Sequence, residues 1–141
     1  MKKLLFTLLA VTTLLSCSKD DVKETDPITG TFRIKSVIVN NEKLEIDSCT
    51  DDTLMKFNSE NTGIYEVYGQ QVQSDCGIVD TGTLSYSNTD TGYLITSSIP
   101  FLFGSLGNAS SGSATLNNYT LLISYVEDGD TYEITFQKIG S

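Results

Sequence analysis

Between residues 31 and 39 the chain alternates, with Phe32, Ile34 and Ile38 on one side of an extended backbone and Arg33 and Lys35 on the other. Period two is the spacing of a half-buried β-strand. Asn40-Asn41, residues that tolerate left-handed backbone, then turn the chain into a short returning strand through Leu44 and Ile46. Residues 53–58 carry Met55 and Phe57 on one face. After a polar turn, residues 64–68 answer with Tyr65 and Val67 facing the same way. A second pair, residues 83–87 and 93–97, is joined by the turn formers Asn88-Thr89-Asp90-Thr91-Gly92. The clearest pair is the last: residues 119–126 and 131–138 flank Glu127-Asp128-Gly129-Asp130, and Tyr132, Ile134 and Phe136 alternate with Glu133, Thr135 and Gln137.

No segment beyond residue 27 places apolar residues at helical spacing over three turns, and β-branched and aromatic residues crowd the periodic stretches. The expected fold is all-β, with about eight short strands in sequential hairpins. Such a pattern fits an up-and-down antiparallel barrel or a sandwich. The hairpin-like connections favour the barrel, because a sandwich needs a long crossover and only residues 98–112 offer one. Within that stretch Ile99-Pro100-Phe101-Leu102-Phe103-Gly104-Ser105-Leu106-Gly107 is apolar but broken by proline and glycine, which a central strand does not tolerate. It reads as a loop plugging one end of the barrel, or else as an apolar lid or a patch for a partner.

The start of the chain carries a different signal. Lys2 and Lys3 precede the apolar residues 4–15, a run short of the roughly 20 residues a helix needs to span a bilayer. That is the layout of a secretory signal. Leu14-Leu15-Ser16-Cys17 resembles the lipobox of bacterial lipoproteins, in which the cysteine is acylated and becomes the new N-terminus. The resemblance implies three parts: a cleaved signal peptide (1–16), a lipidated Cys17 with a flexible tether (17–27), and a barrel domain (28–141). Two or three acyl chains hold a protein stably on a membrane, and ten polar tether residues span about 17 Å as a coil. Ser18-Lys19-Asp20-Asp21 resembles the acidic signal that sends some lipoproteins to the cell surface, although a solvated linker reads the same way. An outer-membrane lipid anchor, on the periplasmic face or the surface, is the expected location.

Charge narrows the list of partners. Loss of residues 1–16 removes two of the nine basic side chains and none of the 18 acidic ones, which leaves a net charge of −11. So acidic a surface repels phosphate backbones and anionic headgroups, which argues against nucleic acid and against a polybasic membrane patch. With Cys17 acylated, Cys49 and Cys76 remain as an even pair in an oxidising compartment, and a disulfide is expected. Closing a loop of about 28 residues removes roughly 3 to 4 kcal/mol of unfolded-chain entropy. A metal or redox site is the weaker reading, since the chain has no histidine.

Ile28-Thr29-Gly30-Thr31-Phe32, Phe57-Asn58 followed by Gly63 and Tyr65, Thr81-Gly82-Thr83-Leu84, and the closing Asp128-Gly129-Asp130-Thr131-Tyr132-Glu133-Ile134-Thr135-Phe136 resemble the lipocalin-like domain of bacterial lipoproteins. The resemblance covers roughly residues 28–138. It implies an eight-stranded barrel and, by analogy with lipocalins, a cavity for small apolar molecules. Where such domains often carry tryptophan after Gly-x this chain has Phe32 and, at a second copy of the pattern, Leu84; the arginine that closes over that tryptophan has Lys138 as its loose counterpart.

Catalytic constellations are hard to find. There is no histidine to act as base, no glycine-rich phosphate loop ahead of a helix, and no thiol left over. Asp51-Asp52 and the Glu127, Asp128, Asp130 group do not follow the Asp-x-Asp-x-Asp-Gly spacing that wraps calcium, and turn formation accounts for them. No enzyme and no cofactor is therefore expected. Two readings remain. One is a small-molecule binder whose apolar interior is lined by Phe32, Met55, Phe57, Tyr65, Leu84 and Phe136. The other is a protein-interaction module of a cell-envelope assembly, its barrel filled by its own side chains.

Overall fold

Gly30 begins the first strand and Gly140 ends the last, and the two strands pair with each other, so the sheet closes on itself. The computed structural model describes residues 26–71, 75–101 and 111–141. Cys17, the expected cleavage signal and the expected tether up to residue 25 lie outside the described residues, as do residues 102–107 of the apolar stretch. In chain order the strands are β1 (Gly30–Val39), β2 (Glu42–Leu44), β3 (Leu54–Phe57), β4 (Thr62–Gln70), β5 (Cys76–Thr89), β6 (Gly92–Ser97), β7 (Ser111–Asn117), β8 (Thr120–Glu127) and β9 (Asp130–Gly140), with one 3-10 turn at Thr50–Asp52. All neighbours are antiparallel, in the order β2-β1-β3-β4-β5-β6-β7-β8-β9 with β1 joined to β9. The result is a closed barrel of eight strands plus one extra strand.

The extra strand is β2. Only the Gly30–Arg33 half of β1 pairs with β3, while Val37–Val39 pairs with β2 on the same side. Thus β2 is a flap beyond the barrel wall. The eighth wall strand is β7, which starts at the end of the expected 98–112 loop and runs through residues 113–117, to which the sequence pattern assigns no strand. Its inward positions are Gly112, Ala114 and Leu116, and its outward ones are Ser, Thr and Asn. A Cβ on Gly112 would press on the side chains of Ile123 and Tyr125 in β8, so the large residues of the neighbouring strand take the space here.

A second correction concerns β1. The expectation grouped Ile38 with Phe32 and Ile34, but a bulge against β9 between Ile34 and Ser36 shifts the phase, so that Val37 and Val39 face inward instead. One extra residue in a strand exchanges its faces.

Closure is pinned at both ends. At the end where β1 finishes, Asn40 lies in left-handed backbone (φ 50°), its amide donates to Asp130 Oδ1 at 2.7 Å, and its carbonyl Oδ1 accepts from the Thr131 N–H at 3.0 Å. At the opposite end Gly30 takes φ +135°, and a Cβ there would meet the Gly140 carbonyl and the Lys138 chain. Replacing Asn40 with alanine removes three side-chain hydrogen bonds across the seam, the third from the Thr131 hydroxyl, and puts a residue that tolerates left-handed backbone less well than asparagine at that position. Together these cost about 1–2 kcal/mol, read as a lower midpoint in urea with an unchanged slope.

Candidate functional site

The six residues expected to line a cavity come from five strands and meet at the centre of the barrel. Phe32 comes from β1, Met55 and Phe57 from β3, Tyr65 from β4, Leu84 from β5 and Phe136 from β9, each with at most 4% of its surface exposed. Strand alternation aims them inward, and ring packing fills the space between them. Phe32 meets Phe57 edge-on at 5.9 Å, Phe57 meets Tyr86 at 5.6 Å, and Tyr65 meets Phe136 at 6.5 Å. A water-sized void would leave accessible area on its walls, yet Phe32, Met55 and Phe136 have none from either side. Ile95, Leu121, Ile123 and Ile134 complete the core and are equally enclosed.

Both ends of this core are stoppered. At one end Ile28 is fully buried, and Asp26 accepts hydrogen bonds from the Ile28 N–H (3.1 Å) and from the Tyr93 hydroxyl (2.8 Å). Burial, and then the bond to Asp26, pushes the Tyr93 phenol up to about 12. Lys138 crosses the same end: its Nζ donates to the Pro27 carbonyl at 2.9 Å and lies 5.6 Å from the centre of the Phe32 ring. The loose counterpart named from sequence is therefore in contact with the ring it was matched to, and the position of the ammonium over the ring face is a cation–π arrangement.

At the other end Phe101 is fully buried, and its carbonyl accepts a hydrogen bond from the Tyr65 hydroxyl. Burial, with Tyr125 as a second cause, pushes the Tyr65 phenol well above its usual range. The plug reading of the apolar stretch therefore holds at Phe101. Its ring lies 5.4 Å from Tyr125, which in turn stacks on Tyr132 at 4.8 Å with planes 5° apart. The alternation that turns Leu121, Ile123 and Tyr125 inward along β8 continues to Glu127. Both Glu127 carboxylate oxygens and the Tyr125 hydroxyl are shielded from water and have no hydrogen-bond partner. Sequence reading assigned Glu127 to the turn. Counting in twos from Leu121 was the signal that would have placed it inside the rim. Asp128 does serve the turn, in left-handed backbone at φ 50°, and Asp130 serves the seam with Asn40.

The expected disulfide is present. Cys49, at the foot of the 3-10 turn, bonds to Cys76 at the start of β5, with Cα atoms 5.1 Å apart. Among the described residues no three His, Cys, Asp or Glu side chains come together as a group able to hold a metal ion. A groove of about 510 Å³ lies on the outer wall, bordered by Thr115, Tyr119, Leu122 and Thr135. Fold and site together define a closed antiparallel barrel with a packed aromatic interior, stoppered at both ends. The chain matches no family model, and comparison with curated proteins and with solved structures also gave no match.

Proposed function

We propose that this chain is an exported lipoprotein, anchored through Cys17, whose lipocalin-like barrel is a non-catalytic interaction module of the cell envelope. The observation that carries the choice of module over apolar-ligand carrier is the enclosure of Phe32, Met55, Phe57, Tyr65, Leu84 and Phe136 in one packed core, each with at most 4% of its surface exposed. A small barrel filled by its own side chains offers partners its rims, loops and outer wall. Support for the lipocalin-like reading comes from Gly30, Phe32 and Lys138, which meet at one end of the barrel as the resemblance implies. Support for the anchor comes from the basic, apolar and Leu-x-x-Cys order of residues 2–17.

The test is the mass of the mature protein. Expressed as the full chain in a Gram-negative host, membrane-extracted protein is expected to begin at an acylated Cys17 and to carry no co-purified small apolar molecule under native mass spectrometry. Cys17→Ser is expected to abolish the lipid mass and leave the signal uncleaved. An unmodified chain still starting at Met1 would overturn the anchor, and a stoichiometric apolar passenger would overturn the filled module.

A further inference from the structure

One side of the outer wall is uncharged in an otherwise acidic protein. The chain carries nine basic and 18 acidic side chains, yet none stands in residues 83–89 of β5, in β6, in β7 or in residues 120–126 of β8. The groove of about 510 Å³ lies where this wall reaches β9, and no charged residue lines it. Cross-strand register sets two rows along it: Asn117, Thr120 and Gln137 in one, and Thr115, Leu122 and Thr135 in the other. Side chains paired in this way lie roughly 5 Å apart on one face. All but Leu122 offer a hydroxyl or an amide. Tyr119 borders the groove, 67% exposed, on the two-residue turn between β7 and β8. The turn is firmly held. Asn118 takes left-handed backbone at φ 55°, and the Tyr119 carbonyl accepts from the Lys138 N–H at 2.7 Å and from Gln137 Nε2 at 3.0 Å. The Gln137 amide is oriented in turn, because its Oε1 accepts from the Thr120 hydroxyl at 3.3 Å. It keeps one N–H and one lone pair for a ligand.

We propose that this groove binds a neutral saccharide, whose ring lies against the face of Tyr119 and whose hydroxyls bond to the Asn117 and Gln137 amides and the threonine hydroxyls. The lining selects that class. A sugar ring presents a face of C–H groups, which the negative face of an aromatic ring attracts, and an edge of hydroxyls that need donors and acceptors together. Amides and hydroxyls supply both. A phosphate or a carboxylate would need a cation that the groove lacks, and a wholly apolar ligand would strand the polar groups it covered. A net charge of −9, or −11 after signal removal, repels anions, while an uncharged polyol reaches the wall at no electrostatic cost. Because the turn holds Tyr119 in place beforehand, little ordering entropy is lost on binding. The inference rests on reading the barrel as a filled module, which leaves the outer wall as its contact surface, and it supplies the chemistry that the module recognises. A free sugar and a unit of a longer glycan chain share that chemistry.

Titration of the membrane-extracted protein with neutral sugars, followed by tyrosine fluorescence and by NMR of the side-chain amides, tests the site. The probes are glucose, N-acetylglucosamine, maltohexaose, cellohexaose and N-acetylchitohexaose, with hexagalacturonate and butanol as controls. Saturable shifts centred on Tyr119 and Gln137 are expected with at least one neutral sugar, and none with either control. Tighter binding of a hexamer assigns the groove to a glycan chain, and tighter binding of a monosaccharide assigns it to a free sugar. Tyr119→Ala is expected to weaken binding at least about tenfold and, since the ring stands mostly in solvent, to leave the melting temperature unchanged. Tyr119→Phe, which keeps the ring, is expected to retain binding. No saturation with any neutral sugar, equal binding by Tyr119→Ala, or an equal response to hexagalacturonate would overturn the site. So would sedimentation showing a dimer that Tyr119→Ala dissolves, since a second copy would then cover the uncharged wall. Failure of the module reading looks different, because it appears as an apolar passenger inside the barrel whatever the sugars do.

Discussion

Phe136→Ala is expected to destabilise the domain by about 3–5 kcal/mol, the usual cost of deleting a buried aromatic side chain from a core that cannot collapse around the gap. Phe136 has no accessible surface, pairs with Ile34 of β1 and Leu121 of β8 in the wall, and packs edge-on to Tyr65. Since domains of this size are stable by only about 5–15 kcal/mol, the loss is a large share of the total, and urea unfolding will show it directly. The experiment separates the two readings of the interior. In a filled barrel the truncation creates a new, dry cavity, and benzene is then expected to raise the melting temperature of the variant and leave the parent unchanged. On the wall of an existing pocket the same truncation only enlarges a space already present, and the cost falls to about 1 kcal/mol. Leu94→Ala is the control: at 44% exposed on the outer face of β6 it is expected to change stability by about 0.5 kcal/mol. A Phe136→Ala loss no larger than that of Leu94→Ala, or a parent protein stabilised by benzene, would contradict the filled interior.

The strands that announced themselves in the sequence are those whose inward side chains are large. In β3, β4, β8 and β9 the alternation of Met55 and Phe57, Tyr65 and Val67, Leu121 and Ile123, and Ile134 and Phe136 against polar neighbours is the physical pattern of a wall with one wet face. β7 obeys the same rule but buries Gly112 and Ala114, because Ile123 and Tyr125 already occupy that part of the interior, and small residues give no hydrophobic signal. Its absence from the sequence reading was offset by counting β2, which has strand character and pairs with β1 but contributes no buried side chain. The right number of strands thus came from a partly wrong set. The bulge in β1 was hidden for another reason, since a phase change is set by pairing with β9, a hundred residues away, and not by local composition. For the site, inwardness was legible and consequence was not: alternation marks a residue as facing the interior without saying whether neighbours leave room beside it. Glu127 was obscured by the acidic turn that follows, whose Asp128 serves the turn and whose Asp130 serves the seam with Asn40, duties that Glu127 does not share.

Reduction of the Cys49–Cys76 bond is expected to cost about 3–4 kcal/mol and to lower the melting temperature by roughly 10–20 °C, since at this domain size each kilocalorie is worth several degrees. The position of the bond in the fold explains why the loss should approach the full loop-entropy value. Between β2 and β3 the chain makes an excursion outside the barrel wall, anchored locally by the Asp47 carboxylate, which accepts from the backbone N–H groups of Cys49 and Thr50 at 2.8 Å each and from the Thr50 hydroxyl at 2.9 Å. Those three bonds shape the turn and hold the Asp47 carboxyl below its usual range, with the Thr50 bonds the leading causes. They do not fasten it to anything distant. The disulfide does, tying the excursion to the first residue of β5 across a sequence separation of 27. Beyond it, the Thr53 hydroxyl accepts from the Tyr68 N–H at 3.1 Å and the Thr53 carbonyl from the Ile34 N–H at 3.0 Å, so the stapled segment feeds β3 into register between β1 and β4. The paired substitution Cys49→Ser with Cys76→Ser should reproduce the loss caused by dithiothreitol, and adding dithiothreitol to that variant should change nothing more. If calorimetry instead found the oxidised and reduced proteins melting within about 2 °C of each other, the bond would contribute little, and the Asp47 hydrogen bonds together with the Arg33–Asp52 ion pair to β1 would be holding the excursion.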